Sequence, residues 1–273
     1  TVGSFADGVL GEVSSTDVDL DELLQAEAYV EAIFVTRLQQ VLTVLGYYEG
    51  PINGIYSDEV TAAVGALQED LGVPVTTHAG VWGATNDDGI RLIYDNGFAT
   101  PQNIYVHAAT LSEDSYQRIA ASGGSVSVST ESEQSAGQGY PPTWTLRSYD
   151  IPVSLSMDTS VWWSGDLFSA MRSTLGADRS REHYEAHAKG DTVTNCHLRA
   201  DQVVEWATRG GAKALGLDGV VGELKPGMKA DVVLIKNDRS PVMFPLINPY
   251  GHVAFQAQRA DVHTVMVNGK VVK

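Results

Sequence analysis

The sequence has a single cysteine, Cys196, and few basic residues for a chain of 273. One cysteine excludes an intramolecular disulfide and a cysteine-rich zinc site. The 34 acidic residues outnumber the 18 lysines and arginines and give a net charge of −16, which argues against binding to nucleic acid or to anionic lipid. No apolar run approaches the length of a membrane span. We therefore expect neither a nucleic-acid partner nor a membrane partner.

The negative charge is concentrated at one end of the chain. Residues 1–75 carry thirteen acidic residues and one base, Arg37, and no lysine occurs before Lys189. Hydrophobic residues make up 43% of the sequence, which is enough to form a packed core. The charge asymmetry predicts two units of different character. Residues 1–32 are interpreted as an acidic leader or linker that runs into a helix near Leu20.

Residues 33–75 show the pattern of a small helical module. A stripe of apolar residues at spacings of three and four predicts a helix that Gly46 ends, and the stripe consists of Val35, Leu38, Val41, Leu42 and Leu45. Two turn pairs follow, Gly50-Pro51 and Asn53-Gly54. A second helix carries further apolar residues and ends near Gly72.

The order of residues in this segment resembles the peptidoglycan-binding module, a small three-helix domain. The matching residues are Leu38-Gln39, Leu45-Gly46-Tyr47-Tyr48, Gly50, Gly54, Thr61, Ala63-Val64 and Leu67-Gln68. The resemblance implies that peptidoglycan is a partner, bound without chemistry. Tyr47, Tyr48 and Tyr56 are the glycan-binding candidates because aromatic rings near turns offer flat faces to sugars. The alternative for Tyr47 and Tyr48 is packing at the end of the helix. One departure is Asn53, where the module usually has aspartate.

From residue 73 onwards, short β-branched runs alternate with helical stretches. The predicted strands are Val73–Thr77, Asn103–Val106, Ser125–Ser129 and Val153–Met157. Such alternation predicts a parallel sheet. His78, His107 and Asp158 directly follow three of these strands, and catalytic groups gather at that rim in a βα barrel. Two imidazoles and a carboxylate suit a divalent ion such as zinc or iron.

The same segments resemble strands five to eight of the amidohydrolase superfamily, in its cytosine deaminase and triazine chlorohydrolase-like branch. The resemblance rests on the strings TTHAGVWG, YVHAATLSED, SGGSVSVSTESE and VSLSMDTS. It extends through the closing pattern of the chain, which includes VEWAT, ALGL, GEL, PG, ADVVL and the hairpin VMVNGKVV. We therefore expect an α/β fold over residues 76–273. That fold is a partial (β/α) barrel, strands five to eight of a TIM-like metallohydrolase, with a small C-terminal β element.

The resemblance also implies roles for single residues. His78 would be the metal ligand of strand five, and His107 would be either a ligand or a group that polarises the substrate. Asp158 would contact the metal and carry the proton of the attacking water. Trp82, Trp162 and Glu131 are weaker substrate-binding candidates beside the strand ends. The alternatives are packing against loops for the tryptophans and a solvated loop for Glu131 and the nearby Glu133.

Parts of the amidohydrolase pattern are missing from this sequence. A complete barrel has a His-x-His pair on strand one, and no two histidines here are separated by one residue, since they stand at 78, 107, 183, 187, 197, 252 and 263. The helical module occupies the place of strands one to four, and residues 75–86 fit both families. A half barrel would expose strand edges. We therefore expect a homo-oligomer or a partner that supplies the missing half.

Two functions remain open at this point. The first is a metal-dependent amidohydrolase or deaminase that acts on C–N bonds of a small cyclic substrate and is impaired by the missing half barrel. The alternative is a non-catalytic, peptidoglycan-binding cell-wall protein. The hydrolase part favours a cytoplasmic location, whereas the helical module favours export to the cell wall.

Overall fold

The computed structural model describes residues 32–33, 35–72, 74–83, 87–160, 163–238 and 241–273. The predicted acidic leader up to residue 31, including the helix near Leu20, and the candidate Trp162 lie outside the described residues. The chain divides into two compact units between Leu71 and Gly72. Among the helices that the structure describes, none is both long enough and apolar enough to cross a membrane.

The first unit contains two helices in its described part, α1 over residues 35–44 and α2 over Asp58–Leu71. Asp58 and Glu59 lie in the first turn of α2, where negative charge is stabilised by the helix dipole. The small core consists of Leu42, Tyr48, Val60 and Ala63.

A buried glutamine fixes the loop between these two helices. The side-chain oxygen of Gln39 accepts hydrogen bonds from the backbone N–H groups of Asn53 and Gly54, each at 3.0 Å. Its side-chain nitrogen donates to the Asn53 side chain and to the Ile55 carbonyl, also at 3.0 Å. This polar side chain is therefore satisfied inside the unit and holds the turn that the sequence predicts at Asn53-Gly54.

The second unit begins with four strands that alternate with helices. The strands are β1 (Val75–Ala79), β2 (Asn103–His107), β3 (Ser125–Val128) and β4 (Val153–Leu155). The intervening helices are α3 (Asp87–Asp95), α4 (Glu113–Ser122), α5 (Thr130–Ser135) and α6 (Thr143–Ser148). The strands pair in the order β1-β2-β3-β4, and each pair is parallel. The predicted parallel sheet is confirmed.

The predicted carboxyl ends of the strands need correction. β1 runs on to Ala79 and β2 to His107, so His78 and His107 lie inside their strands and not beyond them. β3 ends at Val128 and not at Ser129. β4 ends at Leu155, so Asp158 follows the strand by three residues. Helix α6, which precedes β4, buries Thr143 and Leu146.

The core of the second unit lies between the sheet and its covering helices. β2, β3 and β4 are buried along most of their length, as expected of parallel strands covered on both faces. Tyr105 and Val126 of the sheet pack with Ile119 of α4 and with Leu175 of the long helix α7 (Leu167–Ala188). Asp166 caps α7 by accepting the backbone N–H of Ser169 at 2.9 Å.

The rest of the chain adds short helices and a second sheet. After α7 come α8 (Ala200–Glu205), a π turn (Trp206–Gly210) and α9 (Gly211–Ala214). The elements that follow are β5 (Val232–Ile235), α10 (Pro249–Gly251), a second π turn (His252–Gln256), a 3-10 turn (Arg259–Asp261), β6 (Val262–Val267) and β7 (Lys270–Val271). β5, β6 and β7 form an antiparallel sheet. The predicted Asn268-Gly269 hairpin turn is confirmed, with φ of 50° and 78° at these residues.

Candidate functional site

Two imidazoles meet at the carboxyl ends of β1 and β2. His78 is the next-to-last residue of β1, His107 is the last residue of β2, and the register pairs Ala79 with His107. The two ring centroids lie 5.2 Å apart. The His107 side chain is 1% exposed, whereas His78 is exposed. The structure therefore places these two predicted site residues together at one edge of the sheet.

A strained backbone fixes the position of His107. His107 and Ala108 have φ of 70° and 54°, in the left-handed region that residues other than glycine rarely adopt. The Ala108 N–H donates to the Ala79 carbonyl at 2.9 Å, and the buried Tyr116 hydroxyl donates to the Ala108 carbonyl. Burial raises the pKa of Tyr116, so the hydroxyl keeps its proton and remains a donor. Strain of this kind persists where neighbouring contacts enforce it, and it is common at functional sites.

Asp158 lies on an exposed loop beyond β4. Its φ is 58°, and its backbone N–H donates to the Ser156 hydroxyl at 3.0 Å. The negative charge of Asp158 acts to raise the pKa of both His78 and Glu133, so the carboxylate is within electrostatic range of both groups. The overall pKa of His78 is lowered, because partial desolvation and the nearby His107 outweigh the effect of Asp158.

The three predicted ligands do not form a closed coordination site in this geometry. Within the described ranges, no three His, Cys, Asp or Glu side chains are grouped closely enough to hold a metal ion. The imidazoles of His78 and His107 come together, while Asp158 lies on an exposed loop three residues beyond the end of β4. The ligand set predicted from the sequence therefore remains a proposal.

Glu133 is a buried acid at this site, and the prediction of a solvated loop is wrong for it. Its side chain is 0% exposed, and Oε1 accepts the Ser129 backbone N–H at 2.7 Å and lies 3.4 Å from His107 Nδ1. Burial raises the pKa of Glu133 against the opposing effects of His107 and the Ser129 N–H. The sequence carries no capping-box signal for this contact, because the N-cap of α5 is Ser129 and Glu133 reaches the Ser129 N–H from four residues further along the chain.

The predicted substrate-binding residues lie around the same edge. Trp82 is 55% exposed, and its indole N–H donates to the Ala136 carbonyl at 3.2 Å. Glu131 accepts hydrogen bonds from the Ser164 N–H at 3.3 Å and from its hydroxyl at 2.5 Å, so it connects two loops. Trp162 is not among the described residues. The substrate-binding roles of these residues stay predictions.

The three candidate glycan-binding tyrosines of the first unit differ in their surroundings. Tyr48 is 3% exposed and its hydroxyl donates to the Pro51 carbonyl at 3.0 Å, so no face of its ring is open to a sugar. The prediction of sugar stacking is therefore wrong for Tyr48, which packs in the core. Tyr47 is partly buried and donates to Asp70 at 2.8 Å, whereas Tyr56 is exposed.

Comparison with known proteins identifies the family. The Amidohydrolase family profile matches residues 13–272, nearly the whole chain, and the chain belongs to this family. The match runs through residues 33–75, for which a peptidoglycan-binding-like module is predicted, and that module stays a prediction.

Two curated relatives illustrate the similarity in sequence. A 5-methylthioadenosine/S-adenosylhomocysteine deaminase 1 from Syntrophus aciditrophicus is 30% identical over 186 residues, which is 68% of this chain and 40% of the relative. A 5′-deoxyadenosine deaminase from Methanosarcina barkeri is 30% identical over 184 residues, which is 67% of this chain and 40% of the relative. The chain thus spans less than half of either relative.

Solved structures show the same fold. An atrazine chlorohydrolase from Arthrobacter aurescens, complexed with zinc, superposes with a TM-score of 0.70 at 20% identity. The superposed region covers 88% of this chain and 55% of the chlorohydrolase chain. An adenosine deaminase from Xanthomonas campestris with bound zinc has a TM-score of 0.67 at 23% identity. The superposed region covers 79% of this chain and 48% of the deaminase chain. At these identities the likeness establishes the fold.

Proposed function

We propose that this chain carries part of the active site of a metal-dependent deaminase, which hydrolyses the C–N bond of an exocyclic amino group on a purine-type ring. The observation that carries the proposal is the pair of imidazoles, His78 and His107, 5.2 Å apart at the carboxyl edge of a parallel sheet. Membership of the amidohydrolase family and similarity to adenine-nucleoside deaminases support the substrate class. The proposal concerns this chain, which spans 40% of each of those relatives.

The residues fit zinc or iron(II) in donor type. His78 and His107 would supply imidazole nitrogens and Asp158 a carboxylate oxygen, a set that borderline divalent ions accept. The lowered pKa of His78 favours the neutral ring, which has a nitrogen lone pair available for a ligand bond. A bound ion would act as a Lewis acid toward water. This chain offers three donors and lacks the His-x-His pair, so we expect the metal ion to bind weakly.

Asp158 is the proposed proton carrier. Its exposed carboxylate would take a proton from the attacking water as the water oxygen forms a bond to the ring carbon. It would then return that proton to the amino nitrogen as the C–N bond breaks and ammonia leaves. The second proton of the water passes to the adjacent ring nitrogen, so that a ring carbonyl remains. Because Asp158 is held on a loop with φ of 58°, its position is set by the backbone turn after β4.

The test combines ammonia release with metal analysis. The purified chain, dialysed against zinc or against a chelator, is assayed with 5′-methylthioadenosine and 5′-deoxyadenosine. We expect metal-dependent ammonia release that Asp158→Ala abolishes and that Asp191→Asn, at an exposed aspartate, leaves unchanged. Ammonia release that is equal in the presence and absence of metal, or equal in Asp158→Ala and the unmodified chain, would contradict the proposal.

We also propose that the chain associates through its sheet edge with a second copy or with a chain that supplies the other half of the barrel. In the described part of the chain, β1 pairs with β2 alone, and its residues alternate between exposed and partly buried. The opposite edge is covered, because the backbone at Gly210 of the π turn packs against the Val153 carbonyl. Free strand edges tend to recruit another strand. Analytical ultracentrifugation showing only monomer at micromolar concentration would contradict association with a second copy.

A second candidate function is peptidoglycan binding by the first unit. A groove of about 570 Å³ lies beside α2, and its lining includes Tyr47, Gly50 and Glu59. This groove is the observation that favours the proposal. Purified cell wall should sediment the chain, and Tyr47→Ala should reduce the sedimented fraction several-fold; a chain that stays wholly in the supernatant would contradict it.

A further inference from the structure

His107 and Glu133 form a buried pair beside the edge of the parallel sheet. Both side chains are shielded from solvent, with exposures of 1% and 0%. Glu133 Oε1 faces His107 Nδ1 at 3.4 Å, which is long for a hydrogen bond but within reach of one. No other hydrogen-bond partner of the imidazole is found among the described residues. The glutamate therefore determines which ring nitrogen can donate.

A second contact fixes Oε1 as an acceptor. The Ser129 backbone N–H donates to this same oxygen at 2.7 Å, so its position is set by the end of β3. An oxygen that receives one N–H is oriented to receive a second from the imidazole. This geometry places an N–H, and not a lone pair, at His107 Nδ1.

The other carboxylate oxygen is uncommitted. Glu133 Oε2 is buried and makes no hydrogen bond to any described residue, and the same is true of the Ser129 hydroxyl. Replacing Oε2 by an amide group would consequently break no bond in this structure. Glu133→Gln can thus keep the Oε1 contacts, whereas Glu133→Leu, of similar volume, removes them.

We propose that Glu133 is a positioning residue that holds the proton of neutral His107 on Nδ1 and leaves Nε2 with its lone pair free. The positioning role of Glu133 does not depend on the proposed function; only its consequence for metal binding rests on that function. In a metal site, a ring nitrogen with a free lone pair is a ligand, and a carboxylate on the other nitrogen is the usual orienting partner. Of the two roles open for His107, the geometry favours the metal ligand over a donor to the substrate.

The test reads the tautomer directly. The metal-free chain is labelled with ¹⁵N-histidine, long-range ¹H–¹⁵N correlation spectra are recorded at a pH where the ring is neutral, and His107→Gln identifies the signals of His107. We expect the proton on Nδ1 in the unmodified chain and in Glu133→Gln. In Glu133→Leu the proton should move mainly to Nε2, the form that free imidazole side chains prefer. Gln134→Leu, at the exposed neighbouring position, is the matched control and should leave the tautomer unchanged.

A proton on Nε2 in the unmodified chain would overturn the proposal, and that measurement does not depend on any variant folding. An unchanged tautomer in a folded Glu133→Leu chain would overturn it as well.

Zinc titration separates this proposal from the proposed function. Zinc affinity should fall about 10- to 100-fold in Glu133→Leu and stay near the original value in Glu133→Gln. If no form of the chain binds zinc while the tautomer is as expected, the proposed function fails and the positioning role stands. If zinc binds but the proton is on Nε2, the positioning role fails alone.

Discussion

Tyr116→Phe removes one hydroxyl group and tests the account of the strained turn at His107. The hydroxyl donates to the Ala108 carbonyl, and both residues are buried. Without it, the carbonyl of a left-handed residue is left without the partner that the structure shows. An unsatisfied buried acceptor costs about 1–3 kcal/mol. For a urea dependence of about 2 kcal/mol/M, the unfolding midpoint should fall by roughly 0.5–1.5 M.

The assay is urea unfolding followed by tryptophan fluorescence. All five tryptophans lie beyond Gly72, so the signal reports on the second unit alone. The matched control is Tyr184→Phe, because Tyr184 is 77% exposed and should change stability by less than about 0.5 kcal/mol. A Tyr116→Phe midpoint that coincides with the control would refute the idea that this hydroxyl holds the turn.

Three further predictions address the two units separately. Leu42→Ala, in the core of the first unit, should lower the free energy of unfolding by about 2–5 kcal/mol in circular dichroism melts, while Val44→Ala, 86% exposed, should have little effect. Burial raises the pKa of Tyr105 to about 12, so the folded state keeps a proton that the unfolded state releases near pH 10. Stability should therefore fall by roughly 1 kcal/mol between pH 9 and 11, and a Tyr105→Phe chain with the same slope would contradict this assignment. Gly269→Ala, at φ of 78° in the hairpin turn, should cost about 1–2 kcal/mol, and an unchanged melting temperature would contradict the strain argument.

The parallel sheet could be predicted because its signal is local. β-branched runs alternate with amphipathic stretches, and polar residues lie at the strand ends. The placement of His78 and His107 at one edge follows from this pattern, since parallel neighbouring strands end at the same edge, although the register pairs His107 with Ala79. The Asn268-Gly269 hairpin is equally local, because few residue pairs accept positive φ at both positions.

The remainder depends on contacts that the sequence does not display. Glu133 belongs to a short polar helix that the sequence alone assigns to the surface. The Ser129 N–H is a local partner, but the His107 ring is brought to Glu133 by tertiary packing. Tyr48 likewise lies beside turn residues, and only the packing of α2 against α1 encloses its ring. Asp158 has a left-handed φ of 58° after β4, a conformation that aspartate accepts more readily than most residues but that the sequence alone does not specify.

We propose that His78, His107 and Asp158 together bind a divalent metal ion. The most direct measurement is elemental analysis of the chain after equilibration with micromolar zinc and removal of free ion, made in parallel on His78→Ala, His107→Ala and Asp158→Ala. Because binding is expected to be weak, we expect less than one zinc per chain in the unmodified chain and a substantially lower content in each variant. The same zinc content in the chain and all three variants, or none in the unmodified chain, would contradict it.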